Sequence, residues 1–161
     1  MRHAIAEQRD HVRWPDDCLR PLSQDGADLF RQAARGVDGL GIRADAVLTS
    51  SCMRAAQTAR ILTEEAGWPD AETCDALEPL APVPAVLRVL EMRSEASLAV
   101  VGHQPELAEL ASLLLAGNER SIALELKKGS VTCIRLGGRP APGTGVLLWS
   151  LSPKILRRLG R

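Results

Sequence analysis

The sequence predicts a single domain of the α/β class, with helices on both faces of a mostly parallel sheet. Its 161 residues are the length of one domain. Short apolar runs alternate along the chain with segments whose apolar residues recur at helical spacing. The two clearest strands, 45–49 and 97–102, each lead directly into a helical segment, as parallel strands joined by crossover helices do. Together these observations predict a three-layer α/β/α sandwich with a mostly parallel mixed sheet.

The first predicted helix begins after Ser23, a suitable N-cap, and runs to about residue 35. Either Gly36 or Gly39 is expected to end it. Its buried face is a stripe of five apolar residues: Ala27, Phe30, Ala33, Ala34 and Val37.

Six further helices and strands are predicted by the same reasoning. The second helix spans about 53–66 and stops at Gly67. A third begins near Pro84 and a fourth after Pro105, because proline suits the first turn of a helix. The remaining predicted elements are two strands and a last helix: 131–136, 146–151 and 153–159.

The composition excludes several classes of function. Twenty basic residues balance twenty acidic ones, and the isoelectric point is near 6.8, so the charge gives no reason to expect nucleic acid. With one phenylalanine, three tryptophans and no tyrosine, the chain lacks a base-stacking platform. The core is therefore expected to be aliphatic.

Four cysteines are scattered along the chain: Cys18, Cys52, Cys74 and Cys133. Zinc sites need closely spaced ligands, so four reduced and mostly buried thiols are predicted instead. The longest strongly apolar stretch, 110–116, is far shorter than the ~20 residues of a membrane span. The protein is therefore expected to be a cytoplasmic monomer that binds no membrane.

Two strand-to-helix turns carry side chains that suit an anion. One is the segment 47–54, which places Arg54 in the first turn of a helix, and the other is 100–105, with His103 at the corner. Free N–H groups at the start of a helix and a cationic side chain together favour phosphate. The opening residues add Arg2 and His3, and a neutral imidazole can attack phosphorus.

Three motifs, taken in their order along the chain, resemble the signatures of the histidine phosphatase superfamily. That superfamily also contains the cofactor-dependent phosphoglycerate mutases. They are Arg2-His3, the stretch 50–59 reading Ser-Ser-Cys-Met-Arg-Ala-Ala-Gln-Thr-Ala, and the stretch 101–105 reading Val-Gly-His-Gln-Pro. The finer resemblance is to the small SixA-type phosphohistidine phosphatases. It includes the loop 20–26, reading Arg-Pro-Leu-Ser-Gln-Asp-Gly, and covers essentially the whole chain.

The resemblance implies a phosphoglycerate mutase-like fold and a metal-independent phosphatase. His3 would be the nucleophile that forms a phosphohistidine, while Arg2, Arg54 and His103 would hold the phosphoryl oxygens. No cofactor or metal is expected, because side chains supply the positive charge and the sequence has no acidic cluster to hold Mg²⁺.

The expected substrate is phosphohistidine on a protein such as a phosphotransfer domain, because no long insertion is available to cover the pocket. Two alternatives stay open: a small-molecule phosphomonoesterase with the same residues, and an inactive phosphate-binding module. A sugar-phosphate mutase is less favoured, since the chain lacks substrate-enclosing segments.

Several other residues have two interpretations each. Glu78 is a candidate proton donor, and an ordinary Glu-Pro turn is the alternative. Arg9 either reaches the phosphate or lies on the surface, whereas His11 is assigned to the surface. The basic residues of the C-terminus are expected on a solvated helix face, with docking of an acidic partner as the alternative: Lys154, Arg157, Arg158 and Arg161.

The chain departs from the family in one respect. Family members carry several apolar residues before the Arg-His pair, which form a central strand, whereas here Met1 immediately precedes it. The chain is therefore expected to form a single domain, 1–161, whose N-terminal strand is truncated. A truncated strand would hold the backbone of His3 less firmly. The hypothesis is that Met1 is an internal methionine and that the natural start lies upstream.

Overall fold

A computed structural model describes residues 1–160 and contains five α-helices, five strands and two short 3₁₀ helices. Arg161, the last residue of the predicted basic face, lies outside the described residues. The α-helices are α1 Gln24–Gly39, α2 Met53–Ala66, α3 Val83–Glu91, α4 Glu106–Ala116 and α5 Pro153–Leu159. The strands are β1 Ala46–Thr49, β2 Ala71–Thr73, β3 Leu98–Val101, β4 Val131–Leu136 and β5 Gly145–Leu151. The 3₁₀ helices are Asp17–Leu19 and Asp75–Leu77.

The predicted α/β class with a mostly parallel sheet is confirmed. Strands β2, β1 and β3 pair in that order, and both pairings are parallel. The outer side of β3 pairs with the first residues of the chain: Gly102 N donates to Met1 O (3.1 Å), and His3 N donates to Gly102 O (3.0 Å). Strands β4 and β5 form a small separate antiparallel sheet.

Strand β1 lies at the centre of the sheet and separates two apolar cores. All four of its residues are buried. Val47 packs with α1, α2 and α5, whereas its neighbour Leu48 packs with α3 and α4. Because successive side chains of a strand point to opposite faces, this alternation produces the three layers.

Helix α1 continues past Gly36, the first of its two predicted ends, and reaches Gly39, the second. The Ser23 hydroxyl caps it by accepting from Gly26 N (3.1 Å), as expected, and Gly39 is its last residue. Gly36 as a stop was wrong, because the helix continues through it. Helix α5 crosses at this point, and a Cβ at Gly36 would overlap the carbonyl oxygen of Leu156. Gly36 therefore permits close packing of two helices.

A cavity of about 910 Å³ lies next to the N-terminal residues. Its lining is largely apolar and comes from Met1, β3, β4 and α4, and includes Val100, Leu110 and Ile134. Met1, which precedes Arg2 and His3, therefore borders the cavity. Among the described residues, no helix combines the length and apolar character that crossing a membrane requires.

Candidate active site

The three predicted motifs meet at the carboxyl ends of the parallel strands. Strands β1 and β3 are neighbours, so the turns that follow them lie side by side. Arg2 pairs with Gly102 just beyond β3, which brings His3 to the same edge. The imidazole rings of His3 and His103 are 5.2 Å apart between centroids and are tilted by 54°.

His3 is buried, with 6% of its surface exposed, and is held in one tautomer. Its Nδ1 lies 2.7 Å from Ala4 O. A carbonyl oxygen can only accept, so Nδ1 carries the proton and Nε2 keeps its lone pair. Burial, followed by the neighbouring His103 and the charges of Arg54 and Arg2, lowers the pKa of His3 to about 3, although the hydrogen bond to Ala4 O opposes this shift. The ring is therefore neutral at pH 7 and nucleophilic at Nε2.

A buried threonine connects the His3 segment to helix α2. The Thr58 hydroxyl accepts from Ala4 N (2.9 Å) and donates to Arg54 O (2.7 Å). Thr58 has no exposed surface, so both hydrogen bonds are shielded from water. This link fixes the backbone of His3 relative to the first turn of α2.

His103 is held by the turn after β1. Its Nε2 lies 2.9 Å from Ser50 Oγ, and both residues are buried. Burial, and then the charge of Arg54, lowers the pKa of His103 to about 4, although nearby carboxylates oppose this shift. His103 is therefore also neutral at pH 7 and can form a hydrogen bond to an oxyanion through a ring N–H.

Arg54 and Arg2 supply the positive charge of the site. Arg54 is 4% exposed, and its Nη1 donates to Asp17 O (2.6 Å). Arg2 Nη1 donates to Leu126 O (2.7 Å). Burial lowers the pKa of both guanidinium groups. Their Nε–H groups are buried and have no partner among the described residues, which suits an incoming phosphoryl oxygen.

The site also contains three charged residues that were not predicted as site residues from the sequence: the cations Arg20 and Lys128 and the anion Asp17. Arg20 is buried and pairs with Asp17 through Nε and Oδ1 (2.8 Å). Burial lowers the pKa of Lys128, and the nearby charges of Arg2, Arg20 and Arg54 lower it further. Arg20 lies in the loop 20–26 of the family resemblance, which was the available signal. Lys128 opens the stretch 128–130, reading Lys-Gly-Ser, which also fits the family resemblance, whereas Asp17 had no comparable local signal.

Arg9 and Glu78 lie at the edge of this cluster. Arg9 is 68% exposed and reaches it through Asp17, with Nε 3.4 Å from Oδ1. Glu78 Oε1 accepts from Ser51 N (2.7 Å) in the turn after β1. Its charge also acts on Arg54 and His103. The proton-donor role of Glu78 and the phosphate contact of Arg9 stay predictions.

The prediction of four reduced thiols was wrong for one pair. Cys18 and Cys52 form a disulfide, with Cα atoms 4.4 Å apart, whereas Cys74 and Cys133 are free. Their spacing of 34 residues gave no local signal, because the fold brings the two together. Cys18, Cys52 and Glu78 also place three possible metal-ligand atoms within 4.8 Å of one another. In the disulfide the sulfurs are not available as thiolate ligands.

The chain is similar to phosphatases in both sequence and structure. No family model matches it. An uncharacterised protein of Picosynechococcus is 34% identical over 85% of this chain and 83% of that protein. The phosphohistidine phosphatase SixA of Escherichia coli is 29% identical over 98% of this chain and 94% of that protein. A solved structure of the protein histidine phosphatase SixA complexed with tungstate has a TM-score of 0.82 at 26% identity, covering 96% of this chain and 95% of that one.

With this fold and these three motifs, the chain belongs to the histidine phosphatase superfamily. Within it, the sequence and fold are of the SixA type.

Proposed function

We propose that this protein is a phosphatase whose His3 takes the phosphoryl group from phosphohistidine on a protein. The observation that carries the proposal is the state of His3. Its Nδ1–H is bound to Ala4 O, its Nε2 is unprotonated, and burial keeps the ring neutral. A neutral imidazole fixed in this way can attack phosphorus without a separate base.

The transfer has two steps. In the first, Nε2 of His3 forms a bond to phosphorus as the bond to the leaving group breaks, and the imidazole becomes a phosphorylated cation. The Nδ1–H bond to Ala4 O stabilises that cation. In the second step a water oxygen attacks phosphorus and the N–P bond breaks, which returns His3 to its neutral form. Inorganic phosphate leaves with both protons of that water as dihydrogen phosphate, which then releases one proton to solvent.

The cations around His3 hold the charge that moves during both steps. Arg54 and Arg2 have buried Nε–H groups that lack a partner among the described residues, and His103 lies beside His3. Such preorganised donors stabilise developing charge without rearranging during the reaction.

Phosphohistidine suits this site because its leaving group needs no proton donor from the enzyme. The ring nitrogen not bonded to phosphorus can carry a proton near neutral pH, so the imidazole leaves in its neutral form. An alkyl phosphate instead needs a proton donor in the enzyme, and Glu78 is engaged with Ser51 N. The similar SixA protein was solved in complex with tungstate, an oxyanion, which also supports oxyanion binding by a protein of this fold.

The test measures phosphate release from a phosphohistidine-bearing protein and from para-nitrophenyl phosphate, with a chelator present. Wild type is compared with His3→Ala, and His11→Ala is the matched control because His11 is exposed. We expect turnover that resists the chelator, disappears in His3→Ala and persists in His11→Ala. Quenching with sodium dodecyl sulfate at alkaline pH should trap an alkali-stable, acid-labile phosphoenzyme only when His3 is present.

The outcomes separate the alternatives. Faster turnover of para-nitrophenyl phosphate with the phosphoprotein untouched would favour a small-molecule phosphomonoesterase. Phosphate binding without turnover of either substrate would favour an inactive binding module. Full activity in His3→Ala would show that His3 is not the nucleophile.

A further inference from the structure

The Cys18–Cys52 disulfide joins the two segments that meet at Arg54. Cys18 lies in the 3₁₀ helix Asp17–Leu19, and Cys52 is the residue just before α2. Cys52 is buried, whereas Cys18 is partly exposed. Arg54 follows Cys52 by two residues. The bond therefore ties the Asp17 segment directly to the turn that positions Arg54.

Asp17 is an internal anion bound to the cations of the site. Its carboxylate contacts Arg20 at 2.8 Å and Arg54 at 3.3 Å, and its carbonyl oxygen accepts from Arg54 Nη1. The hydrogen bond from Arg20, and then the charges of Arg20, Arg54 and Arg9, lower the pKa of Asp17 to about 2. A negatively charged group thus occupies donors of Arg54 that a phosphoryl group would use.

We propose that Cys18 and Cys52 form a redox-modification site that controls phosphate binding at Arg54. The proposal rests on the proposed function, since it concerns the same anion site. In the disulfide form, the tether keeps Asp17 on Arg54 at high effective concentration, and phosphate must compete with it. In the dithiol form, the Asp17 segment can move away, and phosphate takes its place on Arg54.

The chemistry is balanced with hydrogen peroxide as the oxidant. Each thiol loses one electron and one proton, the Sγ–Sγ bond forms, and peroxide becomes two water molecules. A small dithiol reverses the step and is itself oxidised to a cyclic disulfide. Glu78 Oε2 lies 3.5 Å from Cys18 Sγ and 3.4 Å from Cys52 Sγ, so it can accept hydrogen bonds from the thiols in the reduced form.

The test measures the Kd of inorganic phosphate by isothermal titration calorimetry on the full chain. Samples are oxidised with peroxide or reduced with dithiothreitol, freed of reagent and kept in chelator, and the disulfide is verified by alkylation and mass spectrometry. We expect the reduced form to bind phosphate about tenfold more tightly, the effect of one charge-assisted hydrogen bond. Cys18→Ser should bind like the reduced form under both conditions.

Two further variants identify the cause. Asp17→Asn should bind phosphate equally in both redox states, because the competing charge is gone. Cys133→Ser, which changes a free cysteine on β4, should keep the full redox response. Equal Kd values in wild type with the disulfide verified, an undiminished response in Asp17→Asn, or no phosphate binding in either state would each overturn the proposal.

Turnover of a phosphohistidine-bearing protein and of para-nitrophenyl phosphate on the same samples separates this proposal from the proposed function. Redox-dependent phosphate binding without turnover of either substrate would contradict the phosphatase and support the redox site. Turnover that needs His3, with binding independent of redox state, would overturn only the redox site.

Discussion

The neutral state of His3 makes the stability of the protein depend on pH in a measurable way. Burial lowers its pKa to about 3 in the folded protein, whereas an unfolded histidine has a pKa near 6.5. As the pH falls below 6.5, the unfolded chain takes up a proton that the folded protein does not. Protonation therefore favours unfolding, and stability is lost progressively from pH 6.5 down to the folded pKa.

The size of this effect follows from the two pKa values. Between pH 7.5 and 5.5, the linkage for one such histidine amounts to about 1.4 kcal/mol of lost unfolding free energy. His103, whose pKa burial lowers to about 4, contributes a similar amount. The two together should cost about 2.7 kcal/mol over this range.

Variants isolate the contribution of each ring. His3→Gln and His103→Gln should each lose about 1.4 kcal/mol less than wild type between pH 7.5 and 5.5. Other groups cancel in the comparison, including the buried amino group of Met1, whose pKa burial lowers to about 5. His11→Gln, with an exposed side chain, is the control and should follow wild type.

Urea unfolding monitored by tryptophan fluorescence at pH 5.5, 6.5 and 7.5 measures these differences, since Trp68 is buried. If His3→Gln lost as much stability as wild type on acidification, His3 would not be held neutral by burial. The account of its nucleophilicity would then be wrong.

Other predictions concern the residues around the site. Thr58→Val should cost about 1–3 kcal/mol of unfolding free energy in urea, because Ala4 N–H loses its buried acceptor. Gly36→Ala should cost about 1–3 kcal/mol in the same assay, since the methyl group overlaps the backbone of α5. If Glu78 is the proton donor, Glu78→Gln should slow an alkyl phosphate at least about tenfold more than para-nitrophenyl phosphate, whose leaving group needs less protonation.

The parts of the fold predicted from sequence are those with strong local signals. Helix α2 has the predicted bounds because apolar residues recur at helical spacing and Gly67 takes a left-handed conformation at its end. The short strand β2, in contrast, was not predicted, since three residues with mostly exposed side chains carry no apolar pattern. It is a strand because it pairs with β1.

The same distinction applies to the candidate site. Arg2, His3, Arg54 and His103 were predicted because each lies in a motif or a strand-to-helix turn, and the structure brings them together. The ion pair between Asp17 and Arg54 joins residues 37 positions apart, and nothing in the local sequence indicates it. Interactions of this kind depend on how the loops fold over the sheet, which periodicity does not report.

The excess of positive charge links phosphate binding to the chemistry of His3. Arg2 and Arg54 lie close enough to His3 to lower its pKa, in addition to the larger effect of burial. The guanidinium groups that suit a phosphoryl group therefore also help keep the nucleophile unprotonated. Asp17 offsets part of this charge when no substrate is bound. The charge of Asp17 also raises the pKa of His103. Whatever moves Asp17 away from Arg54 should then strengthen phosphate binding and make His103 harder to protonate at the same time.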